Sequence, residues 1–424
     1  MNFNNIKEWI IPEGTVKEVK DSQNRVLWNK TPYIDYGYFY IEDITGEDNT
    51  IAIEKNYTTA PTIEVFYSTD QTNWTSMGNT DTRRITATIP ANGKLYLKAT
   101  TNQWGAYVNG NRYNRFSILN SVNVGGNIMS LLYGDNYNNK TEFPSGSVRN
   151  FYYLFSACNI VSAENLVLPA TTLTDNCYNS MFQTCTYLVT TPELPATTLA
   201  NSCYAGMFAD CASLTTAPEL PATTLAEKCY NTMFTGCTSL TQAPELPATT
   251  LAEKCYQSMF YGCTSLTTTP TLPATTLASN CYQNMFTGCT VLTTAPALPA
   301  TTLANNCYQN MFQNCTSLTT TPALPATTLT TGCYYGMFRY CTSLTTAPVL
   351  PATTLANNSY NSMFRYCSNL NKVTTYAQDI SANACLSTWL GSVSATGDFY
   401  NYGSAVYPSG SSGIPSGWTV HTSL

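Results

Sequence analysis

The chain has 424 residues, with 19 Lys+Arg against 25 Asp+Glu, a net charge of −6, 43% hydrophobic residues and 12% aromatics. Charged residues make up 10%, against about 25% in an average domain. Neither a basic nucleic-acid surface nor a charge-rich disordered chain fits this composition. His421 is the single His, which removes His-based zinc sites, Ser-His-Asp triads and Cys-His pairs; no metal, cofactor or nucleic-acid partner is expected.

From the N-terminus, the apolar run Trp9-Ile10-Ile11 is closed by Pro12. It is shorter than the roughly 7–15 residues of a secretory core and the roughly 20 of a spanning helix. Synthesis and folding in the cytoplasm, without membrane insertion, are the expectation. Residues 1–30 predict an extended lead-in and a hairpin, with Val16 and Val19 on one side of an Asp21–Asn24 turn and Val26, Leu27 and Trp28 on the other. This hairpin is either a small separate element or the edge of the next domain. Over 31–124, short alternating segments at 38–41, 62–67, 84–89 and 94–99 are separated by Asn, Gly, Asp and Pro, which predicts an all-β, Ig-like sandwich. Glu42, Asp43, Glu47 and Asp48 cluster between strands. Two carboxylates suffice for a glycosidase, but such a cluster is far more often a solvated turn. No G-x-S-x-G, P-loop or H-E-x-x-H is present, so the chain is not expected to be an enzyme.

The string Leu-Pro-Ala-Thr-Thr-Leu begins at 168, 194, 220, 246, 272, 298, 324 and 350, always 26 residues apart. Units this short cannot bury an apolar face alone and must stack into a solenoid. With the first Leu of that string as position 1, the Thr at position 5 suits an N-cap, and Thr224/Glu227 and Thr250/Glu253 have capping-box spacing. Positions 6, 7, 10, 11, 14 and 15, typically Leu, Ala, Cys, Tyr, Met and Phe, then form one stripe of a three-turn helix. Gly236, Gly262 and Gly288 at position 17 suit its C′. The Thr-rich stretch that follows is extended up to the Pro at position 25. The expected fold is therefore α/β: eight strand–helix units over 168–375, capped by 125–167 and 376–424. Trp389, Leu390, Phe399 and Trp418 are available to close the last unit. Strands stack about 4.8 Å apart and helices about 8–10 Å, so the array should curve with its helices outside.

Most of the 17 Cys fall in pairs eight apart, such as Cys177/Cys185. Three readings stand: small core residues, disulfides between units, or a metal site. Intra-unit disulfides are too long for a helix, the total is odd, Ser359 replaces one partner, and C-x₂₋₄-C spacing is missing. Core filling is favoured.

Units such as NNCYQNMFTGCTSLTTAPALPATTLA resemble the BspA-like leucine-rich repeats of bacterial surface and phage proteins. The flanks 127–135 and 413–420 resemble segments that bracket such arrays. Residues 1–30 resemble the short leader on virion proteins of crAss-like and related phages of gut Bacteroidetes. The resemblance implies a non-enzymatic virion appendage or tail fibre that binds a host-cell glycan or surface protein. Its N-terminus would dock to other virion proteins through Trp9, Ile10, Ile11, Val16, Val26 and Trp28, with a homotrimer as a compatible assembly. The alternatives are a bacterial BspA-like surface adhesin and, remotely, a capsule depolymerase. A host-facing patch is expected where units seven and eight place Tyr335, Arg339, Tyr340, Arg365 and Tyr366 at neighbouring variable positions; the competing reading is a solvated face or a subunit contact.

Overall fold

A computed structural model describes residues 18–20, 26–29, 37–56, 60–102, 104–107 and 111–422. The chain divides into two units, Met1–Gly37 and Tyr38–Leu424. In the first, β1 (Glu18–Lys20) and β2 (Val26–Asn29) pair antiparallel with Trp28 opposite Val19. Trp9, Ile10, Ile11 and Val16 lie outside the described residues.

The second unit opens with β3 (Tyr40–Asp43), β4 (Asn49–Lys55), β5 (Glu64–Ser68), β6 (Thr75–Asn79), β7 (Arg84–Ile89), β8 (Lys94–Ala99), β9 (Gly105–Tyr107), β10 (Asn111–Ile118) and β11 (Val122–Asn127). Period-two patterning sets the faces: Ile85, Ala87 and Ile89 of β7 are buried while Arg84, Thr86 and Thr88 are exposed. One sheet has the order β7-β4-β10-β9. The other runs β11-β3-β8-β5-β6 and gains β12 (Ile160–Val167), parallel to β11, at its edge. Ser162 of β12 then bridges Thr190 in the first repeat, so sheet and array share a hydrogen-bonded edge. Their cores also merge: Phe116 packs on Phe155 at 5.3 Å between ring centroids, and Phe155 on Phe182 at 5.3 Å.

The repeats correct the α/β expectation. The one α-helix among the described residues, α1 (Ser130–Tyr133), lies outside them, and positions 8–17 of every unit form consecutive tight turns. Backbone N–H groups alternate between two kinds of partner. Tyr178 N donates to Cys203 O at 3.0 Å and Ser180 N to Ala205 O at 2.8 Å, both in the next coil, whereas Met181 N donates back to Tyr178 O at 3.2 Å. A helix would keep all of these bonds within the segment. Positions 9, 13 and 17 have positive φ in all eight units, as in Asn280, Asn284 and Gly288 (55°, 56° and 78°). The same three-point pattern continues before the array at Arg149, Tyr153 and Ala157 and after it at Ala384, Thr388 and Ser392.

The physical reason is in the burial pattern. Buried positions 10, 11, 14, 15 and 18 recur every four residues, whereas a helix repeats every 3.6. A turn every four residues brings each pair inward without drift. The residue types agree, because Asn or Gly holds 13 of the 24 positive-φ positions; these are poor helix formers and the residues that tolerate left-handed backbone. The Gly at position 17 does adopt positive φ, but it closes a turn series and not a helix.

The expected strands are likewise reduced. Successive coils meet through isolated parallel bridges at position 5 (Thr198↔Thr224, Thr224↔Thr250) and position 23 (Thr216↔Gln242, Gln242↔Thr268). Pro at positions 25 and 2 removes the donors a continuous ladder needs. The helix-sized spacing on which the expected curvature rested is gone too. Equivalent rings of adjacent coils stack nearly parallel, Tyr204 on Tyr230 at 5.9 Å and Phe260 on Phe286 at 5.6 Å.

All 17 cysteines are free and buried. Those at position 18 form a second ladder: Cys211 Sγ donates to Phe182 O at 3.1 Å, Cys237 to Phe208 O at 3.1 Å and Cys367 to Phe338 O at 2.9 Å. This explains why position 18 remains Cys in the last unit while position 10 accepts Ser359, whose Oγ accepts from Ala356 N at 3.3 Å. Burial pushes the Cys177 thiol up to about 12, so at neutral pH it is a neutral core group and no nucleophile. Beyond the array, β13 (Lys372–Thr375), β14 (Gly397–Asn401) and β15 (Trp418–His421) form a parallel sheet. Trp389 extends the tyrosine stack by lying 6.4 Å from Tyr360.

Candidate functional site

The turn side of the array presents positions 12, 13, 16 and 17 of each coil in four columns. In the middle coils the side chains at position 12 pair along their own column. Asn231 Nδ2 donates to Gln257 Oε1 at 3.0 Å, Gln257 to Gln283, and Gln283 Nε2 to Gln309 Oε1 at 3.0 Å. Position 17 is bare backbone at Gly236, Gly262 and Gly288.

Units seven and eight differ. Positions 16 and 17 carry Arg339–Tyr340 and Arg365–Tyr366, all half-buried. The two Tyr rings stack at 4.5 Å and 11°. The Arg339 guanidinium carbon lies 5.1 Å from the Tyr340 centroid and 5.9 Å from that of Tyr366, and Arg365 sits 4.7 Å over Tyr366. Arg365 Nη2 donates to the Tyr366 hydroxyl at 3.0 Å, and the buried Arg339 Nε has no hydrogen-bond partner. The structure thus brings four of the five expected residues together. Tyr335, at position 12, makes no ring contact with them.

Two features set this cluster apart. The first is backbone cost: Tyr340 and Tyr366 have φ of 64° and 66°, a conformation that disfavours a side chain by about 1–2 kcal/mol. Gly occupies the same position three times in this array, and Thr184, Asp210 and Asn314 take it at positive φ as well, so what is particular here is the size of the two Tyr side chains placed there. The second is charge. Several cations sit beside carboxylates, as in Lys98–Asp135 (2.6 Å), Arg84–Glu54 (3.2 Å), Lys94–Glu42 (3.7 Å) and Lys254–Glu253 (2.5 Å). Among the described residues neither Arg339 nor Arg365 has an acidic partner within 4.0 Å.

The acidic cluster near the N-terminus is structural. Asp43 is buried and accepts from Thr45 N and Oγ1, Gly46 N and Asn92 N. Burial pushes its pKa up, but these hydrogen bonds outweigh it and bring it down to about 2. Asp48 accepts from Ala91 N at 3.0 Å and Glu42 faces Lys94. These carboxylates brace turns and strand ends, and no catalytic pair emerges from them.

Sequence reasoning missed a second cluster. On the outer face of the C-terminal sheet, His421 Nε2 lies 2.8 Å from Asp398 Oδ1, its ring stacks on Tyr400 at 4.5 Å, and Lys372 Nζ is 5.2 Å from the Tyr400 centroid. Lys372 and Asp398 lie one 26-residue period apart on β13 and β14, but His421 on β15 is 21 residues beyond its partner Tyr400, so the repeat spacing alone did not join the cluster. It also missed Tyr261, at position 16 in the Arg column and 45% exposed; aligning the units at that position alone would have found it. Of the expected attachment residues, Val26 and Trp28 lie on β2.

A family model described as BspA type Leucine rich repeat region matches the chain in six copies, over 119–241, 152–293, 201–345 and 306–409. No curated protein and no solved structure matches it.

Proposed function

Since the chain belongs to the BspA-type leucine-rich-repeat family of surface or adhesion-type, generally non-enzymatic repeat proteins, we propose that it is a virion appendage protein that attaches a phage to its host cell. The array is the scaffold, and Arg339, Tyr340, Arg365 and Tyr366 carry recognition. The observation that supports this most is the stacked Tyr pair held at left-handed φ beneath two guanidiniums that no carboxylate neutralises. Flat aromatic faces with polar tips suit glycans and protein surfaces alike. Docking to the particle falls to residues 1–30, and the division of the chain at Gly37 supports a separable leader.

The test uses two variants. Replacing Tyr335, Arg339, Tyr340, Arg365 and Tyr366 with Ala leaves incorporation into particles intact and abolishes retention on host cells. Deleting residues 1–30 leaves a cooperatively folded protein that no longer joins particles. Normal cell retention by the five-Ala variant would refute the recognition site, and particle assembly by the deletion variant would refute the docking role.

A further inference from the structure

We infer that the ligand of this patch is a linear anionic polysaccharide, lying along the array axis with its carboxylate or sulfate groups on Arg339 and Arg365. The inference rests on the attachment reading above and adds the ligand's chemistry. Two guanidiniums one coil apart lie over phenol rings; Arg365 spends one Nη2 donor on the Tyr366 hydroxyl, and the other Nη donors of the pair suit planar anions. Arg84, Lys94, Lys98 and Lys254 sit beside carboxylates of the protein itself; Arg339 and Arg365, adjacent in one column, do not, in a chain whose net charge is −6.

The neighbouring columns give the polymer its direction. Position 16 runs through Tyr261, Thr287, Gln313, Arg339 and Arg365, while position 17 beside it is bare at Gly262 and Gly288. A sugar ring seated on exposed Tyr261 and an acid group on Arg339 or Arg365 would thus lie on one line parallel to the axis. A nucleic acid fits less well, because its closely spaced phosphates need a longer run of cations than two.

The test measures binding of the full chain to polygalacturonate, dextran sulfate, neutral dextran and a short DNA duplex at low and high salt. The expected result is binding to one or both acidic polysaccharides, weakened by salt, with neither dextran nor DNA bound comparably. Polygalacturonate and dextran sulfate separate carboxylate from sulfate recognition. Arg339→Gln/Arg365→Gln, checked for native near-UV circular dichroism, should bind at least about tenfold more weakly, and Tyr261→Ala should lose less. Equal binding to neutral dextran or DNA, no binding to either acidic polymer, or full binding by the double-Gln variant overturns the inference. Retention of the wild-type chain, but not the five-Ala variant, on host cells alongside any of those results would leave the attachment reading standing and remove only the ligand class.

Discussion

Coils three to five and coils seven and eight share one backbone and differ in what they put on it. At position 17 the former have Gly236, Gly262 and Gly288 and the latter Tyr340 and Tyr366, all at positive φ. The inner positions hardly change: Cys, Tyr, Met, Phe and Cys recur and are buried throughout. The comparison separates two duties of one repeat. The inward residues and the turn geometry are fixed by stacking, and the outward columns can be rewritten coil by coil. Gly, Asn, Asp, Thr and Tyr all take the left-handed backbone at position 17, so the turn geometry accepts side chains there, and the Tyr pair is set apart by its bulk and its stacking.

The scaffold half of this comparison breaks most easily at the stacked rings. Phe286 sits between Phe260 and Phe312 at 5.6 and 5.7 Å, so Phe286→Ala should cost about 3–5 kcal/mol, seen as a lower midpoint in denaturant unfolding. The same truncation at Tyr340, which is half-buried, should cost far less.

The surface half is sharpened by exchanging residues at position 17. Gly262→Ala should destabilise by about 1 kcal/mol, since a Cβ is added at left-handed φ. Tyr340→Gly should be close to neutral, because relief of the backbone offsets the lost ring stack, yet it should weaken cell binding. A large stability loss in Tyr340→Gly would mean that the Tyr pair is structural.

A smaller effect separates the β-domain from the array. Asp43 has its pKa lowered to about 2, against about 3.9 when unfolded. A depressed carboxylate contributes stability that is complete above the unfolded value and is lost as pH falls from about 4 towards 2. Asp43→Asn should flatten this acid limb, measured by thermal unfolding across that range, and leave the ring-stacked coils unaffected.

The period, the inward residues and the adjacency of Arg339 with Arg365 were legible because they need only stacking in register. The conformation between them was not. The stripe at positions 10, 11, 14 and 15 fits a helix over two turns. Only its extension to the Cys at position 18, and the Asn and Gly every fourth residue, distinguish a four-residue turn repeat. Inter-coil hydrogen bonds from every second N–H are a tertiary property that no single unit displays. Tyr335 shares the turn side with positions 16 and 17, but sequence spacing could not show that its ring makes no contact with the Arg–Tyr pairs. The His421–Asp398 contact depends on β15, which follows β14 at a spacing other than 26 residues.

The most direct test of a uniform scaffold with a local recognition patch is to move the patch. In the five-Ala background, Tyr261→Arg, Gly262→Tyr, Thr287→Arg and Gly288→Tyr rebuild the Arg–Tyr pairs on coils four and five. The account predicts that retention on host cells returns towards the wild-type level. A folded relocated variant that stays unbound would contradict it, and would show that recognition depends on the end of the array and not on these side chains.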